Sequence, residues 1–336
     1  MSDNYQLISE KLLEGLNFKE VGEILIKSGI DPFTATKEIS EVMCNPIYMG
    51  AVKGNSLHVR RFSKLKWMME TVANHYNLSE RSRKINITDD ISEADFFENY
   101  YFQNKPLLLN DQIKNWKALK EWSPEYLIKK WGNIDVEITD GRESCPEPEM
   151  LSPTLKKMTK FGSFIEKCQT VKSSDFYMMA NNDNHTALID MWDDIGRLPC
   201  MLDPNGQRAH GFFFIGPCGT ITQCHHDLTN NFLVQVVGNK KVYLVNSLMQ
   251  SKIYNYQHVY SRVDLSNPDL NKHPLMKGVD IIEIDLNAGQ CLAIPIGWWH
   301  QVHSTSFSIS ITYTNYKKSN SWSEGQTTFS GGELFP

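Results

Sequence analysis

The sequence has no run approaching eighteen apolar residues, and its N-terminus, MSDNYQLISEKLLEG, shows no basic stretch leading into an apolar segment. Neither a membrane span nor a secretory leader is expected from such a chain. It has no CxxC pair; seven cysteines, an odd number, are scattered at 44, 145, 168, 200, 218, 224 and 291. That pattern fits reduced thiols better than a disulfide or zinc framework and points to a cytoplasmic protein. A basic stripe is also missing: acids and bases are interspersed and the formal net charge is -5, so nucleic-acid binding is not suggested. There is no internal repeat and no low-complexity tract. What is present, 336 residues of which 41% are hydrophobic, suffices for one substantial core and a smaller accessory unit.

Residues 1–85 read as a helical N-terminal region. Asn17 and Glu20 have capping-box spacing ahead of Val21, Ile24 and Leu25, and Gly29 supplies a stop. Asp31-Pro32 then opens a helix that turns Ala35, Ile39 and Val42 inward. A third helix is expected from about Ser63 to Tyr76, with Leu65, Met68, Met69 and Val72 forming a packed stripe.

Residues 86–336 form the second expected domain. From Gly211 onward short β-rich runs recur between turns, which argues for a sandwich or barrel. Phe232–Val237 and Lys240–Val245 flank Gly238-Asn239, the pattern of a two-residue hairpin turn. Ser306–Thr314 alternates strictly, setting Phe307, Ile309, Ile311 and Tyr313 on one face and small hydroxyl residues on the other. That second face suits either the lining of a polar cavity or contact with solvent.

The segment TITQCHHDLTNN, 220–231, contains His225-x-Asp227. On an extended strand, residues two apart point to the same side, so an imidazole and a carboxylate converge there. Two histidines and one carboxylate on one face of a metal leave positions open, the arrangement of non-heme Fe(II) oxygenases. The strongest third candidate is His300, in GQCLAIPIGWWH, where a turn leads into a short apolar strand that ends at Pro295 and delivers two tryptophans and the histidine at its far end. His226 and His303 compete for this role, but His226 should point away if His225 and Asp227 point in. Each piece alone is weak: His-x-Asp arises by chance, and a histidine after Trp-Trp is more often a packing residue.

Together these residues resemble the JmjC-type oxygenases, in particular their small protein hydroxylases of the asparaginyl-hydroxylase type. The resemblance runs from about Lys105 to Tyr316. Lys105-Pro-Leu-Leu-Leu followed by Trp116, Ala118 and Trp122 is similar to the family's opening region, and Thr222, Asn231 and Lys240 fall at the family's spacings from His225. The resemblance implies a mainly β fold with helical additions, a double-stranded β-helix of the cupin or jelly-roll kind. It implies Fe(II) held by His225, Asp227 and His300, with 2-oxoglutarate and O2 as cosubstrates. Lys240 would pair with the distal carboxylate of 2-oxoglutarate, helped by the hydroxyls of Thr222 and Tyr177. A buried dianion needs such a cation and such donors. Asn231 would lie near the chelating end. On the last strand the family's amide and tryptophan are replaced by Thr312 and Thr314.

The implied activity is hydroxylation of an unactivated C–H on a protein or peptide side chain. The alternatives are N-demethylation, the same chemistry on a free amino acid, a biosynthetic intermediate or a nucleoside, and a non-catalytic cupin-like binding protein. Beyond Tyr316 the sequence is Gly/Ser/Thr-rich, without the C-terminal helices through which the asparaginyl hydroxylase dimerises. Any homodimer is therefore expected to form through the N-terminal helices.

Overall fold

The computed structural model describes residues 4–13, 16–79, 83–182, 184–206 and 211–320; the Gly/Ser/Thr-rich tail lies almost wholly outside the described residues. The chain divides into two compact units, Met1–Thr71 and Val72–Pro336. The first is helical: α1 (Asn4–Leu13), α2 (Phe18–Lys27), α3 (Pro32–Met43) and most of α4 (Pro46–Asn77). The Asn17 side chain accepts from the Lys19 and Glu20 amides while the Glu20 carboxylate accepts from the Asn17 amide, closing the capping box. Asp31 caps α3, with Pro32 at its first position. Val21, Leu25, Ala35, Ile39 and Val42 bury as the spacing predicts, joined by Ile8 of α1.

The third expected helix differs in two respects. It begins at Pro46, well before Ser63, because Asn45 caps it by accepting from the Ile47 and Tyr48 amides. Its expected packed stripe is also open: Leu65 is 59%, Met68 48% and Val72 53% exposed. No helix among the described residues is long and apolar enough to cross a membrane.

Among the described residues the second unit holds fifteen strands, numbered in chain order. One six-stranded sheet contains β1 (Asn86–Thr88), β2 (Leu107–Leu109), β6 (Gly211–Gly216), β8 (Asn231–Val237), β13 (Cys291–Ile294) and β15 (Ser308–Tyr313), in the order β1-β2-β13-β8-β15-β6. The other contains β7 (Ile221–His225), β9 (Lys240–Val245), β10 (Asn255–Gln257), β11 (Tyr260–Ser261), β12 (Ile282–Leu286) and β14 (Trp299–Ser304), in the order β10-β11-β7-β14-β9-β12. A small third sheet joins β3 (Asp135–Asp140), β4 (Lys156–Lys160) and β5 (Phe176–Tyr177). Apart from the β1–β2 pair, every strand pairing is antiparallel. From β6 to β9, and again from β12 to β15, successive strands alternate between the two large sheets. That alternation is the double-stranded β-helix, or jelly roll.

It also corrects one local reading. Gly238-Asn239 does not close a hairpin, since β8 pairs with β13 and β15 whereas β9 pairs with β14 and β12. The chain crosses between sheets there, and Gly238 sits at φ +69° with the Phe307 carbonyl so close that a Cβ would lie 1.9 Å from it. The apolar strand of segment 289–300 stops at Pro295, as expected. β13 ends at Ile294, Pro295 breaks the ladder, and the chain changes sheets before His300 appears as the second residue of β14.

The alternating segment near the C-terminus forms β15, and all six of its residues are buried. Its apolar face enters the main core, where Ile309, Ile311 and Tyr313 meet Trp116, Trp192 and Phe213. Its hydroxyl face turns into the space between the sheets, so of the two readings the sequence allows, the cavity lining holds for Ser310 and Thr312, while Ser308 is buried and accepts from Gln235 Nε2.

Candidate functional site

His225 is the last residue of β7 and lies directly opposite His300 of β14 in the ladder. Their rings are 4.2 Å apart. Asp227 lies in the loop beyond β7, so its approach to His225 comes from the loop's path and not from a continuous strand; the Gly297 amide donates to the Asp227 carbonyl and holds that loop in place. Asp227 Oδ1 is 3.8 Å from His225 Nε2, and its Oδ2 is 3.4 Å from His300 Nε2. Within this group the candidate ligand atoms all lie within 4.8 Å of one another.

Backbone geometry fixes the tautomers. His225 Nδ1 donates to the Gln223 carbonyl at 2.8 Å, and His300 Nδ1 donates to the Trp298 carbonyl at 3.0 Å. A carbonyl can only accept, so each ring carries a proton on Nδ1 and turns its Nε2 toward Asp227. Burial, reinforced by His225, pushes His300 down to about 4, leaving it neutral at pH 7 as ligation requires. Asn231, at the start of β8, donates to Asp227 Oδ2 and holds the carboxylate. Two imidazoles and one carboxylate, with no further ligand group among the described residues, match a facial triad with open positions.

Of the two competing histidines, His226 packs edge-on against Trp299, and His303 turns toward Gln301 near Asp264. Neither joins the triad.

The cavity beside the triad is lined by Tyr177, Thr222, His225, Asp227, Asn231, Lys240, His300 and Thr312, all named from the sequence, together with Ser310 and an apolar wall of Phe214, Leu233, Ile294 and Val302; Thr314 lies outside it. Thr222 and His225 are three apart and would face opposite sides of a regular strand. A bulge brings them to one side: β14 advances two residues from His300 to Val302 while β7 advances three, from His225 to Thr222.

Lys240 opens β9 and is 3% exposed. Its ammonium donates to Ser310 Oγ at 2.6 Å, and no carboxylate among the described residues pairs with it. Burial alone brings it down from 10.5 to about 7. Burial pushes Tyr177 up, so its phenol stays protonated, and it lines the same cavity as Thr222. A buried cation without a counter-ion, ringed by hydroxyls, is a receptor for an anion that the chain itself does not supply. The donor set and this receptor share one cavity and fit a metal with an acidic chelating cosubstrate.

The cupin-like domain family matches residues 93–321, about two thirds of the chain. The chain belongs to that family, as a JmjC-type member. The JmjC-type chain is 28% identical to the lysine-specific demethylase JMJ30 of Arabidopsis thaliana over 238 residues, 69% of this chain and 54% of that one. It is 31% identical to JmjC domain-containing protein D of Dictyostelium discoideum over 246 residues, 65% of this chain and 53% of that one. With tRNA wybutosine-synthesizing protein 5 of Mus musculus it shares 25% over 236 residues, 66% and 74% of the two chains. It spans about half the length of the JmjC-named relatives it matches. The cofactor set of this JmjC-type chain is Fe(II) with 2-oxoglutarate and O2.

Some of the site was not singled out in the sequence. Ser310 belonged to the hydroxyl face of β15, but its partnership with Lys240 depends on a contact across the two sheets. The Gln223 and Trp298 carbonyls are backbone groups and leave no residue-type signal.

Proposed function

We propose that the chain is an Fe(II)- and 2-oxoglutarate-dependent oxygenase that hydroxylates an unactivated C–H on a protein or peptide side chain. The observation that carries this reading is the single cavity in which His225, Asp227 and His300 stand beside the buried, unpaired Lys240. In it, His225, Asp227 and His300 hold the metal and leave the remaining positions to cosubstrate and oxygen. Lys240 binds the distal carboxylate of 2-oxoglutarate, and Tyr177, Thr222 and Ser310 complete its hydrogen bonds. Asn231 keeps Asp227 oriented, and Phe214, Leu233, Ile294 and Val302 exclude water. The iron, once bound with 2-oxoglutarate and O2, supplies the oxidising power that C–H hydroxylation needs. When the hydroxylated carbon is an N-methyl group, the same chemistry ends in demethylation, in keeping with the relatives named lysine-specific demethylases.

A second reading keeps the chemistry and changes the substrate to a nucleoside of tRNA, and it is favoured by the relatives named tRNA wybutosine-synthesizing protein 5. Incubation of the iron-loaded protein with cell-extract protein and with tRNA, followed by mass spectrometry, separates the two. Gain of one oxygen or loss of a methyl group in peptides supports the first reading, and gain of oxygen confined to nucleosides replaces it with the second. Turnover of neither, with metal and 2-oxoglutarate bound, leaves a free small molecule as substrate or a non-catalytic binding protein. For self-association the N-terminal helices remain the proposed surface, supported by the open stripe of Leu65, Trp67 and Met68 on α4.

A further inference from the structure

One charged pair in the second unit is buried as deeply as Lys240 but lies outside the cavity. Arg142, just after β3, and Glu149, ahead of β4, have side chains 1% and 3% exposed, with Arg142 Nη2 2.7 Å from Glu149 Oε1. A buried ion pair contributes little net stability compared with apolar residues of similar size, so its presence calls for another reason.

The surroundings supply one. On one side β7 is paired with β14, but on its other side β11 meets it only opposite His225, at Tyr260. The backbone of Ile221 and Gln223, on either side of Thr222 and next to the bulge, therefore has no strand to bond there. Side chains take the strand's place. Arg142 Nη2 donates to the Ile221 carbonyl at 2.9 Å, the Ser174 hydroxyl accepts from the Ile221 amide at 3.0 Å, and Glu149 Oε1 accepts from the Gln223 amide at 3.4 Å. The same guanidinium reaches the segment that carries Tyr177: its Nε donates to the Ser174 carbonyl at 3.1 Å, its backbone amide donates to the Asp175 carbonyl, and its charged carbon sits 5.5 Å from the Tyr177 ring centre. Both cosubstrate-side hydroxyls, Thr222 and Tyr177, thus hang on backbone that one ion pair ties together.

We propose that Arg142 and Glu149 form a positioning pair for the 2-oxoglutarate pocket, acting as a surrogate strand that holds the bulged β7 so that Thr222 meets Tyr177. This inference rests on the proposed function and extends it to residues that touch neither metal nor cosubstrate. A packing role and a positioning role differ in what they couple to. If the pair acts through Thr222, removing the Thr222 hydroxyl should also remove most of the pair's effect.

The test is calorimetric titration of 2-oxoglutarate into protein loaded with Mn(II), for the unchanged chain, Glu149→Gln, Thr222→Val and the double variant. Glu149→Gln is expected to weaken 2-oxoglutarate binding about tenfold while Mn(II) affinity changes less than about threefold, and to add less than about twofold in the Thr222→Val background. An unchanged 2-oxoglutarate affinity in Glu149→Gln, or losses that simply multiply in the double variant, would overturn the inference and leave the proposed function standing. Should Glu149→Gln not fold, Ser174→Ala, which removes a single hydroxyl from the same clamp, must show a smaller loss of the same kind, again suppressed by Thr222→Val; no loss overturns the inference. Failure of the unchanged, metal-loaded chain to bind 2-oxoglutarate overturns the functional reading and this inference with it.

Discussion

Replacing Lys240 by methionine should make the ligand-free protein more stable and ruin its cosubstrate binding at the same time. Lys240 is buried, its one polar partner among the described residues is the neutral Ser310 hydroxyl, and burial brings its pKa from 10.5 to about 7. The unfolded chain therefore binds more protons than the folded one between about pH 7 and pH 10.5, so stability rises with pH across that window. Below pH 7 the full penalty is present. At pH 7, where half of the folded molecules carry the proton, it amounts to about 4 kcal/mol, taking ~1.4 kcal/mol for each pH unit of displacement. Methionine has similar length and no charge, and the gain on replacing buried charges by apolar groups is usually about 1–4 kcal/mol. Denaturant unfolding of metal-free protein should show Lys240→Met more stable by about 2 kcal/mol or more at pH 7, with the advantage shrinking toward pH 10. The same variant should bind 2-oxoglutarate about 100-fold more weakly or worse, because the distal carboxylate loses its charged hydrogen bond inside a dry cavity. In the unchanged protein the affinity should fall by about tenfold per pH unit above 7, since binding must then recruit a proton to the lysine. A variant less stable than the parent at pH 7, or a stability gain indifferent to pH, would refute the reasoning.

Other changes test separate parts of the structure. Asn231→Ala frees the Asp227 carboxylate and should weaken Mn(II) binding by about tenfold or more in a direct titration. Gly238→Ala places a Cβ against the Phe307 carbonyl at a residue of positive φ, and should destabilise the fold by about 3 kcal/mol or more in denaturant unfolding. The Asp194 carboxylate is buried, accepts from Lys117 at 2.9 Å, Lys130, Trp122 and Tyr126, and is held down to about 2. Its lowered value gives stability that is present above pH 4 and lost as pH falls toward 2, so Asp194→Asn should cost about 2 kcal/mol at pH 7 and nothing near pH 2.

The parts of the molecule legible in the sequence are those written in short-range terms. The Asn17–Glu20 box, the Asp31-Pro32 start and the strict alternation of Ser308–Tyr313 each depend on residues a few positions apart, and each forms as its spacing predicts. What escaped is set by distant pairing. Gly238-Asn239 has the residues of a hairpin turn, but the partners of β8 and β9 come from 282–313, and they decide that the chain changes sheets. The exposed stripe of α4 has helical periodicity, which reports an apolar face without saying whether anything covers it. In the site, the triad and Lys240 were legible through the family resemblance, which is carried by side-chain types at set spacings. The bulge between Thr222 and His225 and the clamp of Arg142 and Glu149 were not, because they act on backbone groups that every residue has.

The proposal that the His225, Asp227, His300 cluster and the Lys240 receptor serve one reaction is tested most directly by formation of succinate from 2-oxoglutarate in the presence of the substrate found by mass spectrometry. Succinate is expected only when Fe(II), 2-oxoglutarate and O2 are all supplied to the unchanged protein, and none from Asp227→Ala. Succinate formed equally by Asp227→Ala, or none from unchanged protein with iron, 2-oxoglutarate and a verified substrate bound, would contradict it.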